Sequence, residues 1–568
     1  MYVKTSTRRT GDGRTIRYLQ LAHNEWDPVA RASKTKVLYS FGREDQLDVA
    51  GIRRLVAALC RLLEPGDALA ASAPAGLTFT ESRPLGGAFV LDGLWRQIGI
   101  DAAMRDMLAG TRMDARVERI LFALTANRAL APSSKLAATR WIAHDVVIDG
   151  LEQVVDEACY RAMDWLIEVE PELSRIVYDN TATLLNLEVD LLFFDTTSTY
   201  FELEDADAPV ARDEHGRRVV DGDPVATETG FRTWGKSKDS RADLPQIVVG
   251  MAVTRDGIPV RVWAWPGSTA DSALIRQVKN DMRDWSLGRV VWVADRGFAS
   301  AANRRYLQRA GGHYILGEKL RGDTPEAKAA LSRQGRYKLV AESLQVKEVR
   351  LSADLADDRF VICFNPDAAD RDRKIRDRMI ALLEETIAAS DKLSKDKRAE
   401  LRGVISTKPA LKRYLRITPG GLLRVDKAAI EREANLDGKF LLRTSDPKLS
   451  AEDIALGYKQ LLEVERGWRD MKQIIDLRPV YHRAETRIRA HVLLCWLALL
   501  LIRIAETRTG STWPTLREQL QRLHLGTFTG PAGSFRQRTE LSPAQRKILN
   551  TLGLPEPRRV HQAVPATP

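Results

Sequence analysis

The sequence predicts an α/β fold: a mixed sheet interrupted by a mostly β insertion and preceded by a helical region. Three observations carry that expectation. From about Leu47 to Leu185 apolar residues recur at helical spacing, as in GIRRLVAALCRLL and RVERILFALTANRAL. From Val189 the pattern shortens to strand-length runs rich in Phe, Val, Thr and Trp, with helical stretches between the later ones. Between about Leu320 and Asn435 other strand-like pieces and a charged helix break that series, and DGKFLLRTSD then resumes it.

At 568 residues the chain is too long for one core, so several domains are expected. No uninterrupted apolar run reaches membrane-spanning length; Val492 to Ile504 is short, contains Arg503, and reads as a buried core helix. MYVKTSTRRTGDGR has no apolar signal core, so the expected location is the cytoplasm, in association with the nucleoid and with no membrane partner. Cys60, Cys159, Cys363 and Cys495 are far apart and form no CxxC pair, which points to buried thiols rather than a zinc site or disulfides. The net charge is +11 and is concentrated at the ends. Met1 to Arg54 carries eleven basic residues against six acidic, and Leu501 to Pro568 ten against four. Such ends suit a polyanion, most simply nucleic acid.

The elements follow in order. Residues 1–46 alternate polar and apolar around GDG and FGRED, a small β module. Residues 47–185 are helical and form the expected region for binding DNA ends. Within them, LAPSSKLAATRWI with Arg128, Lys135 and Arg140 reads equally as a DNA-binding helix-turn-helix or as a plain helix corner. Residues 186–319 open the core. VDLLFFDTTSTYFEL is a strand, and LPQIVVGMAV and IPVRVWAW flank the hairpin signal TRDG. ADSALIRQVKNDMRDW is a helix, RVVWVAD a strand ending in an aspartate, SAANRRYLQRAG a helix and HYILGEK a strand. Three antiparallel strands followed by two parallel ones returning through helices make the layout of a ribonuclease H-like core. Residues 320–435 are the insertion, β-rich with the charged helix DRDRKIRDRMIALLEETIAASDKLSKDKRAEL. Residues 436–510 complete the core with a strand and the helix YKQLLEVERGWRDMK. Residues 511–568 are a basic segment whose end, LPEPRRVHQAVPATP, reads as a disordered tail.

Three acids stand out. Asp195 follows the apolar run LLFF, Asp295 follows VVWVA, and Glu465 lies on the helix after the insertion. The first and fourth strands can be neighbours, so Asp195 and Asp295 can converge. Converging acids in apolar strands repel unless a cation lies between them. Magnesium, with manganese able to substitute, suits oxygen ligands and keeps water positions open. Two such ions would activate water or a 3′-hydroxyl and stabilise the leaving oxygen of a phosphodiester. Glu465 would be the third carboxylate. The plainer reading of each acid is a turn cap or an arginine partner, and Arg296 directly follows Asp295. Tyr458, Leu461, Leu462, Glu465, Arg469 and Lys472 fall near one helix face. Lys472 can hold a phosphate, and Tyr458 can stack or hydrogen-bond at a strand end. Further candidate DNA contacts are Arg469, Arg296, Lys236, Lys238 and Arg241 in GKSKDSRADLPQ, and Arg478 and Arg483 in RPVYHRAETRIRAH. His482 and His491 read as structural or DNA-contacting rather than metal-binding.

The pieces FFDTTSTYFE, GKSKDSRADLPQIVVGMAV, PGSTADS, VVWVADRGFAS, DGKFLLRTSD, YKQLLEVERGWRDMK and LRPVYHRAETRIRAHVLLCWLALLL span roughly Val189 to Ile504. Together they resemble the DDE transposases of bacterial insertion sequences, in the group with a Tyr-Arg-Glu-Lys signature and a β insertion before the catalytic Glu. The resemblance implies that Asp195, Asp295 and Glu465 form a metal triad. Tyr458, Glu465 and Lys472 match the signature, and Leu461 stands where its Arg is expected. It also implies cleavage of double-stranded DNA at terminal inverted repeats, strand transfer into target DNA, and a homodimer in the synaptic complex. The alternatives are a related metal-dependent nuclease that cuts without joining, and a non-catalytic DNA-binding derivative of the fold.

Overall fold

In the computed structural model, which describes residues 1–11, 15–62, 77–187, 190–213, 216–219, 228–283, 285, 290–321, 324–352, 356–530 and 533–565, two compact units appear. The first comprises Met1–Ser82, Gly526–Gln537 and Val560–Pro568; the second comprises Arg83–Leu525 and Arg538–Arg559. In the first, the alternation at the N-terminus folds as a three-stranded antiparallel sheet of Tyr2–Arg9, Thr15–Asp27 and Ala32–Arg43. A helix, Val49–Cys60, follows, capped by the Asp48 side chain, which accepts from the Gly51 N–H. The Cys60 thiol lies outside the described residues; Cys159, Cys363 and Cys495 are buried and free.

The disordered tail is a correction. Val560–Pro565 is a strand that pairs antiparallel with Gly533–Arg538. The stretch VHQAVP can alternate its side chains across a sheet, and pairing satisfies its backbone groups.

The second unit begins with helices Gly86–Gln97, Ile100–Leu108, Val117–Leu130, Lys135–His144 and Asp156–Leu185. At LAPSSKLAATRWI, Ser134 caps the helix by accepting from the Ala137 N–H. Arg128 and Lys135 are only 2% and 3% exposed. Arg128 donates to the Asp476 carbonyl at 3.2 Å. For these two residues the stretch is a packed helix corner, not a DNA-reading surface.

The large sheet is built from β1 (Leu191–Tyr200), β2 (Gln246–Thr254), β3 (Pro259–Pro266), β4 (Val291–Ala294), β5 (His313–Glu318), β6 (Lys338–Ala341), β7 (Leu344–Arg350), β8 (Arg359–Phe364) and β9 (Lys439–Thr444). Its order is β6-β7-β8-β9-β5-β4-β1-β2-β3. β1, β2 and β3 form an antiparallel meander, while β4 runs parallel to β1 and β5 parallel to β4. Gly257, at φ +75°, makes the tight connection between β2 and β3. The sheet is apolar on both faces. Leu191, Phe193 and Val293 join the main core with the helices, and Leu192, Phe194 and Ala294 join a second core with α1 (Asp271–Asp281).

The insertion differs from the expected β domain. Its strands β6, β7 and β8 extend the same sheet, joined to β5 through β9. All but the last residue of RFVICF in β8 is buried, so this strand needs a neighbour on each side and cover on each face. The remainder is mainly helical, with Pro366–Ile387, Lys395–Ser406 and Lys427–Ala434 and one small two-stranded ribbon.

After β9 come α2 (Ala451–Lys459), α3 (Leu462–Gln473) and α4 (Glu485–Thr509). α4 is long and apolar enough to cross a membrane, but 94% of its most apolar window is buried inside the protein. It packs against Val117–Leu130, Asp156–Leu185 and β3, as a core helix. Arg503, buried on this helix, is neutralised by Glu506 and Asp470 at 2.5 and 2.6 Å.

Candidate active site

The parallel register of β1 and β4 sets Phe194 opposite Ala294. One step further along each strand direction stand Asp195 and Asp295. Asp195 is half-buried within β1, on the face shared with Phe193 and Thr197. Asp295 leaves β4 and starts a short turn, its carbonyl accepting from the Phe298 N–H. Burial pushes the Asp195 carboxyl up to about 6, and the neighbouring charges of Asp271 and Asp295 add to the rise. The Lys238 ammonium opposes it from 3.8 Å, and so does the Thr196 N–H.

The helix expected over Tyr458 to Lys472 is two helices. Bonds of the i to i+3 type tighten the chain between them: Gln460 N–H to Gly457, Leu461 N–H to Tyr458 and Glu463 N–H to Gln460. Gly457 lies so close to β1 that a Cβ there would stand 2.8 Å from Leu191 Cδ1. α2 therefore delivers Tyr458 to the strand ends, and α3 restarts on its own course. The Tyr458 hydroxyl donates to Asp295 Oδ1 at 3.2 Å, and its ring stacks on Phe440. Burial, then the Asp295 charge, raises the Tyr458 hydroxyl well above its ordinary value. Leu461 packs against the main core.

Glu465 lies on an exposed face of α3, which packs on β1. Among the described residues no three His, Cys, Asp or Glu side chains lie close enough to hold one metal ion. The structure thus brings Asp195, within β1, beside Asp295, just past the end of β4, and carries Glu465 on a helix against β1 without gathering the three into a ligand set.

Lys472, two turns after Glu465, donates to Thr197 Oγ1 on β1 at 2.8 Å and to Asp239 Oδ1 at 2.9 Å. Arg478 reaches the other oxygen of Asp239 at 3.1 Å and lies over the Tyr200 ring. Arg241 also lies over Tyr200, paired with Asp243. Lys238 touches the Thr196 carbonyl and hydroxyl and lies 3.3 Å from Asp271. Lys236, Arg296 and Arg469 are exposed, and the Arg296 charge acts on Tyr458. Arg483 is exposed elsewhere. It lines a cavity of about 720 Å³ with Arg212, Arg489 and Trp263, whose walls include none of the three acids. His482 and His491 are buried, and burial holds His482 down to about 3. His491 Nε2 faces the Leu477 carbonyl at 3.2 Å.

Sequence reasoning missed Asp239, Asp271 and Thr197. Asp239 carried a signal: it is the one acid within the basic stretch GKSKDSR. Asp271 lies in PGSTADS, at the start of α1, and accepts from Thr196 Oγ1 at 2.7 Å.

Residues 212–501 match the transposase DDE domain family, and residues 3–68 match the IS1634 family transposase N-terminal domain. The first match covers Asp295 and Glu465 and begins after Asp195. No curated protein matches. Solved structures that match include a piggyBac transposase synaptic complex with hairpin DNA, at 9% identity and TM-score 0.33, covering 77% of this chain and 78% of that one. They also include a Mos1 transposase paired-end complex with the left transposon end, at 13% identity and TM-score 0.14, covering 38% and 57%.

Proposed function

The chain belongs to the transposase DDE domain family, and from that premise we propose the reaction of an insertion-sequence transposase in two steps: cleavage of double-stranded DNA at the element's ends, then attack of the freed 3′-hydroxyl on target DNA. The observation that carries the chemistry is the register of adjacent parallel strands that sets Asp195, within β1, beside Asp295, just past the end of β4. The order β3-β2-β1-β4-β5, a meander followed by two parallel strands, supports reading this part of the sheet as a ribonuclease H-like core.

The site chemistry fits divalent magnesium or manganese. The donors are carboxylate oxygens, and the neighbouring acids that raise Asp195 make a place where a cation relieves repulsion. Asp195 and Asp295 would hold two such ions; Glu465, which is not gathered with them in this structure, is proposed as the third carboxylate. When bound, they supply charge stabilisation at the phosphodiester for both the entering and the leaving oxygen. The protein's own groups do the rest. Tyr458 orients Asp295 through its hydroxyl. Lys472 and Arg478 bind phosphate oxygens beside β1, and Lys236, Arg241, Arg296 and Arg469 extend the basic surface. Arg483 belongs to a more distant stretch of DNA. Synapsis of two ends calls for a homodimer on DNA, and the reaction places the protein in the cytoplasm with the nucleoid.

The test is incubation with terminal DNA and magnesium, mapping nicks on each strand. The expected products are 3′-hydroxyls at the element's ends and joined target strands. Glu465→Gln should abolish cleavage and spare binding. Cleavage that persists in this variant removes Glu465 from the reaction.

A further inference from the structure

Lys472 and Arg478 are assigned to DNA, yet a carboxylate already sits between them. Asp239 Oδ1 accepts from Lys472 Nζ at 2.9 Å and Asp239 Oδ2 accepts from Arg478 Nη1 at 3.1 Å. The three side chains are 16–26% exposed, so the contacts are partly shielded from water. Lys472 is also anchored on Thr197 Oγ1, and Arg478 is oriented by the Tyr200 ring at 4.7 Å. Thr197 is two residues along β1 from Asp195, about 7 Å at strand rise.

We propose that Lys472, Arg478 and Thr197 form a seat for one phosphodiester of the DNA strand being cut, and that Asp239 fills this seat until DNA arrives. This rests on the transposase reading above and names one contact within it. A carboxylate presents two anionic oxygens to two separate cations here, as the two non-bridging oxygens of a phosphodiester do. The preceding residue plays the opposite part. The Lys238 ammonium stands 3.8 Å from Asp195 Oδ1 and 3.3 Å from Asp271 Oδ2. Two consecutive loop residues thus give a cation to the acids and an acid to the cations. Without DNA the site is internally neutralised, and each incoming charge displaces a resident one. A half-buried cationic pair with no counter-charge is costly, which explains why an acid is found in this basic loop.

The experiment measures binding of the full chain to a labelled terminal-DNA duplex by fluorescence anisotropy in a chelator, so that no cutting occurs. Asp239→Asn should bind roughly 5- to 30-fold tighter than wild type, since it removes the resident negative charge without a change of shape and leaves a neutral side chain that phosphate displaces more readily. Asp239→Ser should do the same, and covers failure of the first variant to fold. The gain should disappear when Lys472→Gln is added. Asp243→Asn makes the same change of net charge on the same loop and should gain less than about twofold. Binding by Asp239→Asn equal to or weaker than wild type overturns the proposal, because Asp239 would then position Lys472 rather than stand in for phosphate. An equal gain in Asp243→Asn also overturns it. Failure of wild type to bind DNA at all would instead remove the transposase reading.

Discussion

Gly317 on β5 lies against the Tyr458 hydroxyl, and replacing it by alanine tests how tightly that hydroxyl is held. A Cβ at Gly317 would meet Tyr458 Oη at 2.5 Å, Tyr458 Cζ at 3.3 Å and the Arg296 backbone nitrogen at 3.3 Å. The glycine sits in ordinary strand conformation, so alanine by itself stabilises by about 0.4–1 kcal/mol through the unfolded chain. Overpacking costs about 1–3 kcal/mol. Displacing the hydroxyl also loses its hydrogen bond to the Asp295 carboxylate, a further 1.5–3 kcal/mol or so. The steric and hydrogen-bond costs win, and Gly317→Ala should destabilise by about 2–4 kcal/mol. In a Tyr458→Phe background the 2.5 Å contact and the hydrogen bond are both absent. The same alanine should then cost about 1 kcal/mol or less, a coupling of at least about 1 kcal/mol. Urea unfolding of wild type, the two single variants and the double variant measures all four corners. An alanine cost that is the same in both backgrounds refutes the reasoning.

Three further outcomes follow from the same geometry. Arg503→Met leaves Asp470 and Glu506 without their buried cation on an apolar helix, and should cost about 3–5 kcal/mol in urea unfolding. Lys135 is buried and burial lowers its ammonium to about 7 from 10.5, so between these values the unfolded chain holds the proton more tightly. Stability should therefore rise with pH from about 7 to about 10 and stay flat for this group below 7. Lys135→Met should remove that rise, and an unchanged difference curve between the two proteins refutes the buried-amine account. Arg469→Gln should lower the slope of log affinity against log salt by about 0.9 for terminal DNA, and an unchanged slope takes Arg469 off the phosphate backbone.

Local pattern carries far in this chain. The runs LLFF and VVWVA read as buried strands because apolar residues fill both faces, and each run delivers its aspartate at a strand end or within a strand. The hairpin at TRDG and the helix at ADSALIRQVKND follow from turn chemistry and spacing within a dozen residues. The break between α2 and α3 is different. YKQLLEVERGWRDMK has unbroken helical spacing, yet i to i+3 bonds tighten the chain from Gly457 to Glu463, where Gly457 sits close against β1, far away in the sequence. The same holds for Lys135, a basic residue by composition and a core residue by packing.

By itself, then, the amino-acid order determined the runs that form β1 to β5, which of them carry acids, and that the ends are basic. Those properties reside in short stretches and in side-chain chemistry. Tertiary structure decided what touches what: that the insertion's strands continue the main sheet, that the last strand is paired, that Lys472 meets Thr197, and that Asp239 lies between two cations. Such pairings join residues up to hundreds of positions apart, and they depend on which faces remain unburied once all the elements have formed.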